Sequence, residues 1–240
     1  MENQKHNYHY TISFALLIAA GSWGLFWLPQ RALESGGLTG GWATISQMII
    51  PFLILLPISI WRKLKGQSFG LEYPLIGLLF GGGIACYANS FLLTDVVRAL
   101  ILFYITPVWT TIFEMIFLRQ VPRINRYITL ILALSGVWIV FGQDGIIPVP
   151  KNSGDWIALF GGILIAASAV RMEIKKPEGI YPIVFSFFFY GGLFTLVQAF
   201  FLRDYLGSSP SLDAWITMMP WLLLIAVLFH IPTNIVILGA

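Results

Sequence analysis

LFYITPVWTTIFEMIFLRQ, residues 102–120, is an almost unbroken apolar run with Pro107 near its middle and Glu114 late in it. In a soluble core a helix breaker and a carboxylate are awkward guests. In a bilayer each is costly and needs a reason. The rest of the chain decides which solvent applies. Of its 240 residues 58% are hydrophobic and only 10% are charged, whereas average soluble domains carry roughly 25% charge. Mean hydropathy is +0.81. The chain reads as a polytopic, all-α membrane protein.

A spanning helix needs about 20 mainly apolar residues. Eight segments qualify: 10–29, 40–61, 73–93, 96–118, 126–143, 155–174, 180–202 and 214–239. The gaps between them are short and hold turn residues and charges, so no soluble domain is present. A polar start followed by SFALLIAAG resembles a secretory signal, but the apolar run continues through Trp27 and Leu28 and is too long for an ordinary signal core. It reads as an uncleaved helix.

The formal net charge of +3 is no nucleic-acid footprint, because the basic residues sit between apolar runs. With the N-terminus inside, the inner side holds Lys5, Arg62, Lys63, Lys65, Arg119, Arg123, Arg126, Arg171, Lys175 and Lys176. The outer side holds only Arg31, Arg98, Lys151 and Arg203. This bias predicts a cytoplasmic N-terminus. Arg98 and Arg171 lie near helix ends, where their stems can snorkel.

Three echoes share nearly one offset: IAAGSW at 18–23 with IAASAV at 165–170, Pro74 with Pro220, and Asn89 with Asn234. They predict two copies of a five-helix unit, residues 1–147 and 148–240. An odd number of helices inverts the second copy, as in many secondary transporters.

GSWG in the first helix, RALILFYITPVW in the fourth, RYITLILALSGVWIVFG in the fifth and NSGDWIALFGGILIAASA opening the second half run in an order that resembles the drug/metabolite transporter superfamily, EamA type. Within it, the likeness is nearest to bacterial exporters of aromatic amino acids and other metabolites. The resemblance implies inverted repeats of five plus five helices. The second copy here has counterparts of helices one to three only, so two further apolar helices are expected beyond Ala240. Many members end the fourth helix with Gly-Glu, whereas Arg119-Gln120 stands here, so no role of that carboxylate carries over to Gln120.

No enzyme constellation is visible. His6, His9 and His230 have no metal-ligand spacing, and no Walker loop or nucleotide fingerprint occurs. The glycines at 81–83, 161–162 and 191–192 read as surfaces for close helix packing. The single Cys86 cannot form an intrachain disulfide. No cofactor is expected; the expected partners are a small-molecule substrate and the lipid bilayer, with protons as the candidate coupling ion.

Polar residues inside helices must face protein or water, since hydrocarbon costs them about 2 kcal/mol or more. Gln47 and Gln198 read as interhelical hydrogen-bonding residues. Asn89 and Asn234, at equivalent places in the two copies, are expected on opposite sides of one cavity. His230 lies about 20 Å into the last helix, and two readings stand: a titratable group coupling transport to protons, or a neutral imidazole bonded between helices. Pro232 follows it. Pro107 should free a carbonyl near Phe103 for a substrate, water or side chain to satisfy. Tyr104 and Trp109 flank that kink, and Trp23 and Tyr87 complete an aromatic lining. The expected substrate-binding residues are therefore Trp23, Tyr87, Asn89, Tyr104, Pro107, Trp109, His230 and Asn234. Glu114, about 6 Å below the boundary by helical rise, reads as a gate or ion pair with Arg62 or Arg123.

Taken with the resemblance, these features imply an inner-membrane secondary transporter exporting a small organic metabolite, aromatic amino acids favoured, by alternating access. A multidrug or toxic-compound efflux carrier is the alternative. A membrane-embedded enzyme would need clustered His, Asp or Glu, which the sequence lacks.

Overall fold

The computed structural model describes residues 13–19, 21–67, 70–141, 150–201 and 207–239, and its regular structure there is helical throughout. Residues 13–19 and 21–24 are helical and lead through a turn into α1 (Trp27–Ser35). Then come α2 (Gly41–Leu64), α3 (Glu72–Leu93), α4 (Val96–Phe103) and α5 (Thr106–Phe113), which runs into a π-helical turn, Glu114–Leu118. α6 (Ile124–Phe141), α7 (Ser153–Lys175) and α8 (Ile180–Phe201) follow. The last span is α9 (Leu212–Ile225), a π-helical turn over Ala226–His230, and α10 (Ile231–Gly239).

Among the described residues six helical stretches are long and apolar enough to cross a bilayer, including Val96–Leu118 and Leu212–Leu238 as interrupted but single spans. The other two expected spans, 10–29 and 126–143, both run into residues outside the described set, as does the expected boundary between 147 and 148. α6 covers the described part of 126–143. The protein is a polytopic helical membrane protein.

Both ends of the bundle are tied by loop contacts. At one, a Cβ on Gly154 would stand 2.7 Å from the Leu93 carbonyl carbon, and one on Gly207 3.2 Å from Thr39 Oγ1. Gly37, at φ 102°, turns the chain from α1 toward α2 here, in the left-handed region that glycine tolerates. At the other end the Tyr73 hydroxyl donates to the Glu178 carbonyl, joining the start of α3 to the α7–α8 loop.

α3 is the centre of the bundle: 78% of its apolar window is inside the protein, against 50% or less for every other span. It achieves this by having no side chains where its neighbours press closest. A Cβ on Gly81 would stand 2.7 Å from Gly191 Cα of α8, and one on Gly83 3.0 Å from the Gly161 carbonyl of α7. Backbone therefore meets backbone along both interfaces, the packing expected of the glycine clusters. Replacing Gly81 by Val should destabilise the protein by about 1–3 kcal/mol, because backbone cannot yield as a side-chain tip can. Thermal unfolding in detergent micelles reads this, and a variant as stable as the parent would contradict the packing argument.

Three helical stretches are irregular beside one another. Pro29 lacks the N–H that would bond Leu25 four residues back, and the helix opens into a turn at Leu25 and Phe26. There Leu25 N–H bonds Ser22 O at 3.0 Å and Phe26 N–H bonds Trp23 O at 3.2 Å. Pro107 does the same between α4 and α5, where Tyr104 and Ile105 form the turn. In the third, the π-helical turn over Ala226–His230 widens the helix just before Pro232. Pro51, Pro57 and Pro220, by contrast, sit inside helices that stay continuous.

Candidate functional site

The break in the first span puts Phe26, fully buried, at the centre of an aromatic cluster. Its ring centre is 5.2 Å from Trp23, 6.2 Å from Tyr87, 6.2 Å from Phe229 and 5.5 Å from His230. Tyr87 stacks on Phe103 at 4.1 Å, on the residue before the α4–α5 break. All three interrupted helices thus meet here. Trp23, Tyr87 and His230, all expected at a site, gather around a residue the sequence reading did not single out.

A polar chain threads this apolar cluster. His230 is buried, and its Nε2 lies 3.0 Å from Gln47 Oε1. Gln47 Nε2 donates to Gln30 Oε1, and Gln30 Nε2 donates to Thr44 Oγ1 at 2.8 Å. With the amides oriented this way, Gln47 Oε1 is an acceptor, so His230 carries its proton on Nε2. Asn234 Nδ2 donates to the His230 carbonyl at 2.8 Å. Gln47 is the interhelical hydrogen-bonding residue its sequence position suggests. Gln30 lies one position beyond the apolar segment 10–29, where a polar residue reads as solvated.

Two polar atoms in this region are buried without a close hydrogen bond: Asn234 Oδ1, and Tyr87 Oη, whose phenol interacts only with that of Tyr104 at the exposed break. Each such atom costs about 1–3 kcal/mol if nothing satisfies it. Trp109 Nε1, on α5, is likewise buried and unpartnered, and Trp109 makes no ring contact among the described residues. Three of the expected site residues thus hold unsatisfied buried polar atoms.

The remaining expected residues are placed differently. Asn89 is buried but donates to Gln198 Oε1 at 2.7 Å, and Gln198 Nε2 reaches Cys86 Sγ at 3.4 Å. Asn89 and Asn234 therefore engage different partners in this conformation. Tyr104 and Pro107 lie in the exposed part of the α4–α5 break, Tyr104 at 52% exposure. Its phenol interacts electrostatically with that of Tyr87. The carbonyl freed by Pro107 is that of Phe103, as expected, and a side chain satisfies it: Thr106 Oγ1 donates to it.

The charged residues need one correction. Glu114 pairs with Arg126, at 2.5 Å, and not with Arg62 or Arg123. The π-helical turn that starts at Glu114 ends in Arg119 with left-handed backbone, and the chain returns through α6, whose third residue is Arg126. Arg126 Nε also donates to Thr111 Oγ1 at 2.9 Å, so one arginine staples the end of one span to the start of the next.

Arg98 likewise does more than snorkel. It forms an ion pair with Asp155, whose side chain is wholly inaccessible. Asp155 also accepts from Thr94 Oγ1 at 2.7 Å and from the Lys151 amide at 2.9 Å. Asn152, the N-cap of α7, accepts from the Asp155 amide at 2.8 Å and donates to Thr94 Oγ1 at 3.0 Å. Asp155 opens the segment 155–174, where a helix-end charge is ordinarily solvated, so its sequence position gave no signal of burial.

The geometry is that of interrupted helices meeting at an aromatic centre with unsatisfied polar atoms, on a bundle held by glycine contacts. Discontinuous helices around a central site are how many transporters present backbone and side-chain groups to a solute. No curated protein and no solved structure matches the chain. The sequence profile of the EamA-like transporter family matches residues 11–142. That match spans more than half of the chain, which belongs to the EamA-like transporter family of small-molecule membrane transporters.

Proposed function

We propose that this protein is a secondary transporter that exports a small organic metabolite, aromatic amino acids favoured, across the inner membrane by alternating access. The N-terminus is cytoplasmic in this reading, which the basic residues support. Among the described residues Arg62, Lys63, Lys65, Arg119, Arg123, Arg126, Arg171, Lys175 and Lys176 belong to one end, and only Arg31, Arg98 and Lys151 to the other. The observation that carries the solute site is the pair of buried atoms without a close hydrogen bond, Tyr87 Oη and Asn234 Oδ1, beside the Phe26 cluster. Polar atoms left unsatisfied where three helices break are groups that a bound solute can satisfy.

In this conformation Phe26 fills the space between Trp23, Tyr87 and His230. Solute entry then requires Phe26 to withdraw, and the turn at Leu25 and Phe26 gives it a local hinge. A flat ring replacing Phe26 would stack on Tyr87 and Phe229, while the polar end of the solute meets Tyr87 Oη and Asn234 Oδ1. In this reading the inverted repeats expected from the sequence supply the two symmetry-related packings that alternation needs.

His230 is the titratable side chain of the polar chain through the cluster, and proton coupling is assigned to it. Rings and Gln47 surround it, so it exchanges a proton with water only when the cluster opens. Proton exchange is thereby tied to the same movement as solute exchange. His230→Gln keeps a donor toward Gln47 and should abolish the pH dependence of transport; unchanged pH dependence would remove His230 from the coupling step. The function itself is tested by counterflow in proteoliposomes with labelled aromatic and aliphatic amino acids. Failure of all of them to exchange under any imposed pH gradient would overturn the assignment.

A further inference from the structure

A second site lies at the basic end of the bundle, away from the aromatic cluster. A cleft of about 430 Å³ opens between the end of α2, the start of α3 and the α7–α8 loop. Its charged and amide lining is Arg62, Gln67, Glu72, Lys175, Lys176 and Glu178. Three cations and two carboxylates thus face one small space. Among the described residues none of these five charges takes part in an ion pair within the protein.

Arg62 shows the arrangement best. Its guanidinium carbon is held 5.3 Å from the centre of the Tyr181 ring, and its Nε is buried without a hydrogen-bond partner. Tyr181 is itself anchored, donating to the Leu55 carbonyl at 2.8 Å. An arginine fixed on an aromatic face is preorganised to bind an oxyanion with little loss of side-chain freedom. The opposite wall is fixed too, since the Tyr73 hydroxyl donates to the Glu178 carbonyl.

A simple anion in this cleft would leave Glu72 and Glu178 unmatched, and a simple cation would leave Arg62, Lys175 and Lys176 unmatched. We infer that the cleft lined by Arg62, Glu72, Lys176 and Glu178 binds a small zwitterion, its oxyanion on the basic residues and its primary ammonium on the two glutamates. The volume lies within the range of small-molecule sites. Two sources carry this chemistry: a free dipolar solute, and the headgroup of an aminophospholipid at the membrane surface. The inference stands apart from the transport reading, because it concerns binding at a cleft distant from Phe26.

The test is equilibrium binding of labelled phosphoethanolamine and labelled L-serine to the full chain in phosphatidylcholine nanodiscs. Saturable binding of at least one probe is expected, with ethanolamine and inorganic phosphate each competing at least about tenfold more weakly. Arg62→Gln and Glu178→Gln should each weaken binding by about tenfold or more. Glu178 is an exposed loop residue, so its variant separates a lost charge from a lost fold. Adding phosphatidylethanolamine to the nanodiscs identifies the source: competition with the soluble probe assigns the site to the lipid headgroup, and no competition assigns it to a free solute. Absence of saturable binding in both arms, equal binding of ethanolamine or phosphate alone, or unchanged affinity in both variants would overturn the inference. Counterflow that persists while binding is absent would sink this site alone, and binding without counterflow would sink the transport reading alone.

Discussion

Asp155→Ala should lose about 3–5 kcal/mol of stability, the cost of leaving a buried partner charge uncompensated. Asp155 is fully inaccessible and holds Arg98, Thr94 and the Lys151 amide at once, so the substitution unties the α3–α4 corner from the start of α7. Arg98 keeps 22% of its side chain exposed and can turn partly toward water, which places the expected value at the lower end of that range. Thermal unfolding in micelles measures it. The double variant Asp155→Leu with Arg98→Met should recover much of the loss, because no unpaired charge is then buried. A single variant that melts with the parent would show that the pair is not holding this corner.

Phe26→Ala is the second large effect. It empties the centre of the aromatic cluster and should cost about 3–5 kcal/mol, as large-to-small changes at fully buried aromatic positions do. The hole is lined by Trp23, Tyr87, Phe91, Phe229 and His230, mostly ring faces. A flat apolar molecule should therefore refill it, so indole is expected to raise the melting temperature of the variant and not that of the parent. In counterflow the variant should accept bulkier solutes than the parent does. Equal response of parent and variant to indole would show that the space Phe26 occupies is not a ligand-shaped one.

The solvent of this chain and its helical class were legible because apolar run length and charge content depend on composition, which needs no tertiary information. The glycine interfaces were legible too, since glycine clusters in apolar helices have few other uses. The effects of individual prolines were not. Pro29, Pro107 and Pro232 accompany irregular helix, while Pro51, Pro57 and Pro220 leave theirs continuous. At Pro107 the freed Phe103 carbonyl is taken by Thr106 Oγ1, a partner that is visible only in the fold. Phe26 was invisible for another reason: one of 19 phenylalanines acquires its meaning only from the five rings that surround it. Gln30 and Asp155 were hidden by segment boundaries, because a polar residue at the edge of an apolar run reads as solvated until a partner is seen.

Those partners also explain why Arg126, and not the nearer Arg123, meets Glu114. Loop length alone does not fix which of several arginines faces a carboxylate; the left-handed turn at Arg119 and the register of α6 do. Of the residues expected at a site, Trp23, Tyr87 and His230 gather at Phe26, whereas Asn89 bonds Gln198 and Tyr104 stands half-exposed.

In the proposed mechanism the aromatic cluster is the solute site, and Tyr87 Oη and Asn234 Oδ1 await the solute. Tyr87→Phe separates that mechanism from a merely structural role, because it should change stability and transport in opposite directions. Removing an unpartnered buried hydroxyl should leave stability unchanged or raise it by up to about 1–3 kcal/mol. The same change should slow counterflow of the transported solute by about tenfold or more, as a lost solute hydrogen bond does. Stability held or raised with transport lost is the predicted result; counterflow at the parent's rate in a folded Tyr87→Phe protein would contradict it.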